Sequence, residues 1–536
     1  MKKYLVLFFI IVLASVLRFY QLGHNPPSLT WDEAAWGYNA YALNIDGKDE
    51  FGRFLPHDYL ESFGDFKPPL YAYLDIVPVK LFGLTEFATR FPSAFFGVLT
   101  VLMTYFLTKE LFVKSQKREW IALVASGILA ISPWHTMLSR AAFEANVATF
   151  FIVCGVWLFL FAIQKRPWML TLSAASFVLS MYVFNTARIV SPLLVIFLSL
   201  IFFKKIWQHK RQTLLAIIIG IVFLLPTLRF LFTPQASLRF KEVNIFSDIS
   251  VIQQTNQEIA NDNGSVISKI VHNRRLAYGV LFLRHYFDNL DPGFLFIKGD
   301  GNPKFSTQDV GELYLWDIPF FIIGIILLCK KREGNWFVIP LWLLLGIIPA
   351  ATARETPHAL RIEAIIPTMQ VLIAYGIVNT IFNIKLKKLV LIAIFGLLFV
   401  NVLYFLHGYY AHYPSEFSGE WQYGYKESIA YVMKNQDNYK QVIVTSALGR
   451  PYIYYLFYTK TNPDFFRKTA VIHRDAFGFV HVEQFGSYYF PDNMSMYTSK
   501  KEALFITTPG EVPHNAKVLK NFYQLDNKVV LEAYTL

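Results

Sequence analysis

A polytopic α-helical membrane body followed by a small α/β domain is what this chain predicts, and three observations carry that expectation. Of the 536 residues, 54% are hydrophobic and only 16% charged, with 51 Phe and a mean hydropathy of +0.37, a balance too apolar for a soluble protein of this length. Apolar runs that approach the thickness of a bilayer core recur about eleven times. Beyond about residue 407 those runs cease, and helix-like pieces such as "GYKESIAYVMKN" alternate with strand-like ones such as "KQVIVTS" and "EALFITT".

The first run, Tyr4 to Tyr20, follows a basic start as a secretory signal does, but its core is long and no small-residue cleavage site follows, so an uncleaved first helix is expected. The later spans are expected at Pro92 to Leu111, Trp120 to Leu138, Val147 to Ile163, Trp168 to Phe184, Ile189 to Phe203, Thr213 to Phe232, Ile318 to Cys329, Trp336 to Ala350, Ile362 to Phe382 and Leu389 to Leu406. A net charge of +12 raises the question of nucleic acid, yet the basic residues stand in short clusters between apolar runs and report topology instead. Lys2 and Lys3, Lys109 to Arg118, Lys165 and Arg166, Lys204 to Arg211, Lys330 to Arg332, and Lys385 to Lys388 all fall on one side of the alternation. By the positive-inside rule that side, with the N-terminus, is cytoplasmic, in a multi-pass plasma-membrane protein. Residues 21–91, 233–317 and 408–536 then lie outside, giving a membrane domain over 1–407 and an extracytoplasmic α/β domain over 408–536. The loop at 233–317, rich in Gly, Asn and Asp, is expected to be partly ordered. Cys154 and Cys329 fall inside apolar runs and form no disulfide framework.

The stretch "LTWDEAAWGYNAYAL" places two adjacent carboxylates, Asp32 and Glu33, at the start of the first external loop. Farther along that loop, Lys67 precedes Pro68 and Pro69, whose rings fix φ and keep Lys67 out of a helix, on a rigid bend. The remaining short external loops hold only Arg140, Arg188, Arg354 and Arg361, with His358 beside the last. Each Arg alone reads as a side chain reaching for lipid headgroups. Together with an acid pair on the same face, they suit chemistry in which cations hold a departing phosphate and a carboxylate takes the proton of an attacking hydroxyl. Trp31, Trp36, Tyr38 and Tyr41 crowd the acids as an interfacial belt or as stacking surfaces, with Trp36 and Tyr38 the two to test for sugar contact.

The order of "WDEAAWGYNA", "KPPLYAYL", "RFPSAFFGVLTVLMTYFL" and a late "PHALRIEAIIPTMQVLIAYG" resembles the GT-C membrane glycosyltransferases, and within them the bacterial branch of protein O-mannosyltransferase-like and aminoarabinose-transferase-like enzymes. The resemblance implies an inverting transfer of a monosaccharide from a polyprenyl-phosphate donor to an acceptor on the external face. The acceptor is a protein, a glycolipid or a cell-wall polymer. It also implies Asp32 as the catalytic acid-pair member, with Glu33 beside it, and Lys67 at the donor phosphate. Arg140, Arg188, His358 and Arg361 are assigned to that phosphate by loop position rather than by motif.

This chain departs from some relatives in having Ala35 and Trp36 where a basic residue follows the acid. The segment "EWQYGYKES" resembles the acceptor motif of oligosaccharyltransferases but has Gln422 where that motif has an acid. A metal set from Asp32, Glu33, Asp58, Glu61 and His57 would need a convergence that spacing does not show, so no metal and no other cofactor is expected. The alternatives are an oligosaccharyltransferase-like enzyme of the same fold and a transporter or flippase for a lipid-linked sugar. Neither repeat symmetry nor charge deep in several spans favours the transporter. The sugar, the acceptor and the role of the C-terminal domain are not legible.

Overall fold

The computed structural model describes residues 2–233, 235–236, 243–383, 387–475, 478–497 and 502–536. Lys385, one of the predicted cytoplasmic cations, lies outside the described residues. The chain forms two compact units, one of residues 1–17, 96–138 and 144–405, the other of 18–95, 139–143 and 406–536.

The first unit is helical. Each of the eleven apolar runs falls on helix, from Lys2–Phe19 through Glu144–Gln164 and Lys210–Leu231 to Lys387–His407. Among the described residues, four helices are long and apolar enough by themselves to cross a membrane, or up to five when a bent pair at Ala359–Ile365 and Thr368–Phe382 counts as one span. The other runs are shorter or broken: the run expected over Trp120 to Leu138 is two helices, Arg118–Ile131 and Pro133–Leu138. Proline at position 133 cannot donate to the preceding turn and so restarts the helix.

Leu214, Ile218, Val222, Phe399 and Val400 stand exposed on their helices, the apolar outward surface of a membrane protein rather than of a soluble one. Inside, Asp317–Lys331 packs closely on Thr368–Asn383: a Cβ on Gly324 would stand 2.1 Å from the Leu372 carbonyl oxygen, and one on Gly376 2.1 Å from that of Phe320. Small residues at such crossings let helix backbones approach where lipid gives no hydrophobic drive. The segment expected as a partly ordered loop over 233–317 carries more order than expected, with helices Ile249–Asn261, Val266–Val271 and Arg274–Asp288. Its polar residues serve as N-caps, since Asp248, Ser265 and Asn273 each accept a first-turn N–H.

The second unit gathers residues 18–95 with the C-terminal domain, so the boundary expected at 407/408 does not separate them. Helices Trp31–Asp46 and Leu70–Phe82 flank a hairpin of β1 (Leu60–Ser62) and β2 (Asp65–Lys67). Seven strands form the C-terminal sheet: β3 (Gln441–Val444), β4 (Val471–Arg474), β5 (Val480–Phe485), β6 (Tyr488–Tyr489), β7 (Ala503–Thr507), β8 (Lys517–Tyr523) and β9 (Val529–Thr535). Their spatial order is β4-β5-β6-β3-β7-β9-β8, with β3 parallel to both neighbours and the other pairs antiparallel.

The physical reason for the joint unit is a shared core. Leu29, Ala34, Tyr38 and Leu84 are buried in one cluster with Ile429, Val444, Leu456, Phe466 and Leu504. The wholly apolar and aromatic helix Pro451–Tyr458 is buried from its first residue to Phe457, which requires cover on every side. The hairpin is tied in as well: the Val480 N–H donates to the Phe63 carbonyl at 3.0 Å, and Arg474 pairs with Glu61 at 2.6 Å.

Candidate active site

The acid pair opens the helix Trp31–Asp46 because the sequence there is a capping box. Thr30 accepts the Glu33 N–H at 3.3 Å, and Glu33 Oε2 accepts the Thr30 N–H at 2.9 Å. Successive residues in a helical turn project about 100° apart, so the two carboxylates part company. Glu33 points inward and is 1% exposed, whereas half of the Asp32 side chain, 52%, faces solvent.

Glu33 is the hub of a buried network. Arg90, fully buried, donates from Nε to Glu33 Oε1 at 2.9 Å and from Nη2 to Oε2 at 3.3 Å. Its remaining donors go to the carbonyls of Leu22 at 3.1 Å, Pro26 at 2.8 Å and Ser28. The Ala142 N–H adds a second bond to Glu33 Oε1 at 2.9 Å, the fourth to this carboxylate. A carboxylate removed from water in this way needs both its ion pair and its hydrogen bonds, because the desolvation cost is several kcal/mol per ion. Arg90 belongs to the "RFPSA" segment, and it had no assigned role in the sequence reading. The signal that points to it is Thr-x-x-Glu, which turns Glu33 toward the helix cap and so demands a buried cation.

Arg140 comes in on the loop that ends in Ala142. It is buried, donates from Nε to Tyr409 Oη at 3.1 Å and from Nη2 to the Asn25 carbonyl at 2.8 Å, and its guanidinium lies 5.3 Å from the ring centres of Tyr409 and Tyr410. Arg140, Asp32, Glu33 and Lys67 therefore belong to one unit.

Lys67, at the end of β2, donates from Nζ to Asp32 Oδ1. Its side chain is 8% exposed and its ammonium sits 5.3 Å from the Trp36 ring centre and 5.6 Å from that of Phe63. Aromatic faces on two sides stabilise a cation while holding water away from it. Arg450 lies over Phe63 as well, with Cζ 5.1 Å from the ring centre, so two cations share one phenyl ring.

Arg450 and Gly449 line a groove of about 580 Å3 in the C-terminal domain, together with Ser446, His473, His481 and Asp492. Gly449 has φ +78°, and a Cβ there would stand 3.1 Å from the Trp31 ring, so the groove wall abuts the residue preceding Asp32. Only glycine meets both demands without strain.

Both aromatics expected at a sugar, Trp36 and Tyr38, are buried. Trp36 is buried beneath Lys67 and against Tyr71, at 5.4 Å between ring centres. Tyr38 is fully buried, donates its hydroxyl to the Thr461 carbonyl at 3.1 Å and meets Phe466 edge-on. The Tyr38 ring is thus a core side chain covered by protein, and the sugar contact expected of it does not fit this placement.

Arg188, His358 and Arg361 belong to the helical unit. Arg188 donates from Nε to the Met181 carbonyl at 3.3 Å and lies 5.3 Å from the Phe230 ring centre. Arg361 donates to the Glu355 carbonyl at 2.9 Å. His358 is buried, 5.0 Å from the Phe305 ring centre, with Nδ1 3.9 Å from Asp300 Oδ2. Burial, reinforced by Arg361, pushes its pKa down to about 3. At neutral pH its imidazole is therefore uncharged. Burial raises the neighbouring Asp300 carboxyl above its ordinary range.

The oxygen set weighed as a metal cage is turned to cations instead. Asp32 faces Lys67, Glu33 faces Arg90, Asp58 faces Arg53 at 2.8 Å and Glu61 faces Arg474. Each carboxylate already has a cationic partner, whereas Mg2+ or Mn2+ needs several converging on the ion itself.

Comparison with known proteins bears on the fold. The fold is that of the GT-C membrane glycosyltransferases. The chain superposes on the crystal structure of ArnT from Cupriavidus metallidurans in the apo state with a TM-score of 0.57 and 12% identity, over 98% of this chain and 97% of that one. The same enzyme bound to undecaprenyl phosphate gives 0.54 and 11%, over 99% and 97%. Residues 8–244 match the sequence pattern of the dolichyl-phosphate-mannose-protein mannosyltransferase family. An uncharacterised Aquifex aeolicus protein is 28% identical over 204 residues, 38% of each chain. The Bacillus subtilis protein YkcB, named provisionally as a mannosyltransferase, is 31% identical over 120 residues, 22% of this chain and 16% of its own. The chain thus spans well under half the length of these curated relatives.

Proposed function

We propose that this protein is an inverting glycosyltransferase that moves a monosaccharide from a polyprenyl-phosphate donor to an acceptor hydroxyl on the extracytoplasmic face of the membrane. The observation that carries the proposal is the half-exposed carboxylate of Asp32 held by the buried ammonium of Lys67. The bound lipid phosphate of the similarly folded ArnT supports the donor class.

In the proposed step the acceptor oxygen bonds to the anomeric carbon as the bond from that carbon to the phosphate oxygen breaks. Asp32 takes the hydroxyl proton, and the electron pair leaves on the phosphate. An ammonium has three N–H donors, so Lys67 can orient Asp32 with one and meet the growing phosphate charge with another. The flanking aromatic rings exclude water, which strengthens that interaction. Arg140, in the same compact unit as Lys67, is proposed to support that phosphate. Glu33 acts as a positioning residue through its network. Trp36, buried under Lys67, supports the ammonium rather than the sugar, and the step needs no metal.

The groove walled by Gly449 and Arg450 is the proposed entry for the acceptor. The N-terminus is proposed as cytoplasmic and residues 408–536 as extracytoplasmic. Mass spectrometry of glycans lost on deletion of the gene fixes sugar and acceptor class together. Loss of a single sugar from envelope protein, glycolipid or polymer is expected, and an unchanged glycan profile with unchanged transfer activity in membranes counts against the proposal.

A further inference from the structure

Two imidazoles face each other across adjacent strands at the edge of the C-terminal sheet. His473 on β4 and His481 on β5 are a cross-strand pair, with ring centres 5.0 Å apart and planes 12° from parallel. Asp492, on the segment after β6, brings Oδ1 to 3.8 Å from His481 Nδ1. Among the described residues, these three offer two nitrogens and one carboxylate oxygen within 4.8 Å of one another.

A second feature concerns the ring nitrogens turned to other partners. His473 Nδ1 lies 2.9 Å from Glu483 Oε1, and His481 Nε2 lies 3.4 Å from Asp475 Oδ2. A carboxylate that takes the N–H of one ring nitrogen fixes the tautomer and leaves the lone pair on the other, the arrangement that orients histidines on zinc. For His481 the nitrogen left over is Nδ1, the one facing Asp492.

A third feature is access. His473, His481, Glu483 and Asp492 all line the groove of about 580 Å3 that Gly449 and Arg450 wall. Side-chain exposures of 43% for His473, 33% for His481 and 64% for Asp492 leave room for rotation. Tetrahedral zinc places its ligand atoms about 3.3–3.5 Å apart, given bonds of about 2.0–2.2 Å. Closing from the present separations takes about an ångström, within reach of χ rotations that keep each side chain in its rotamer well.

We propose that His473, His481 and Asp492 form a binding site for a zinc-class divalent ion, with its open coordination position turned to the groove. Two imidazoles and one carboxylate with a vacant fourth position select zinc over magnesium, which prefers an octahedron of oxygens. Glu483 and Asp475 are the positioning residues of this site. The open position takes an oxygen or nitrogen from a molecule in the groove. That this molecule is the glycosyl acceptor rests on the proposed function, whereas zinc binding does not.

The test uses tag-free full-length protein in detergent, stripped with a chelator, equilibrated with Zn2+ in millimolar Mg2+, gel-filtered and analysed for metal. The wild type is expected to retain one zinc per chain, and His473→Asn and His481→Asn to retain none while melting, as apo proteins, at the wild-type apo temperature. Glu483→Gln is expected to weaken zinc about 10–100-fold, the usual effect of losing a carboxylate behind a metal-bound histidine. Asp492→Asn, on a surface segment, serves where a histidine variant fails to fold, with at least tenfold weaker binding expected. Equal zinc retention in wild type and variants, or none in the wild type, overturns the proposal. Glycosyl transfer measured on the same samples reports separately on the proposed function.

Discussion

Lys67 reaches Asp32 from within the protein: the lysine side chain is 8% exposed and the aspartate 52%. A cation that is already desolvated gives up little hydration when a phosphate approaches, while a carboxylate that remains half in solvent is open to an acceptor. On the proposed function, the two residues therefore serve different partners. Lys67→Ala is expected to lower the efficiency of donor use by about 10²-fold or more, in line with removal of one charge-stabilising donor, and to leave the acceptor KM nearly unchanged. Initial rates over a grid of donor and acceptor concentrations check this. An effect confined to the acceptor KM removes Lys67 from the phosphate.

Glu33 and Arg90 form an ion pair with side-chain exposures of 1% and 0%. Breaking such a pair strands a buried charge, at a cost of about 3–5 kcal/mol. Arg90→Leu and Glu33→Gln are therefore each expected to lower the melting temperature in detergent markedly. In a double-mutant cycle the pair should cost less than the sum of the single changes. Additive losses, or unchanged melting, contradict the network.

His358 supplies a pH dependence. Its ordinary pKa of 6.5 falls to about 3 on folding, through burial first and Arg361 second. Below pH 6.5 the unfolded imidazole takes a proton that the folded one refuses. The stabilisation is therefore full above pH 6.5 and is lost as pH falls toward 3, at up to about 1.4 kcal/mol per pH unit. Asp300, Arg361 and Glu355 are the charged groups around it. Melting midpoints at pH 7.5 and 5.0 should differ less in His358→Gln than in the wild type, and equal differences in the two proteins refute the assignment.

Tyr38→Phe removes one hydrogen bond, to the Thr461 carbonyl, from a packed core. About 1 kcal/mol of stability should go with it, while the kinetic constants for the donor stay as in the wild type. A selective rise in donor KM would return Tyr38 to the sugar.

Much of this architecture was legible because bilayer physics writes long, strongly patterned signals. Every expected apolar run falls on helix, although among the described residues only four of those helices, or five with the bent pair, are long and apolar enough to cross a membrane. The prolines after Lys67 correctly kept it out of a helix, and it ends a strand. What stayed hidden is long-range. Nothing local shows that the hairpin holding Lys67 is tied to β5 by the bond from Val480 to Phe63, or that Tyr38 packs on Phe466 more than four hundred residues away. Arg90 and the inward turn of Glu33 were within reach, through the Thr30 capping box. The histidine pair of the C-terminal sheet needed the β4–β5 register before it could be seen.

The central claim is that Asp32 accepts the proton of the attacking hydroxyl. Asp32→Asn keeps shape and a hydrogen-bonding oxygen but removes the base. Transfer of sugar from a polyprenyl-phosphate donor, measured in membranes carrying equal amounts of wild-type and variant protein, tests the claim directly. A fall of about 10²–10⁴-fold with an unchanged melting temperature is the predicted result, and wild-type transfer by Asp32→Asn would contradict the account.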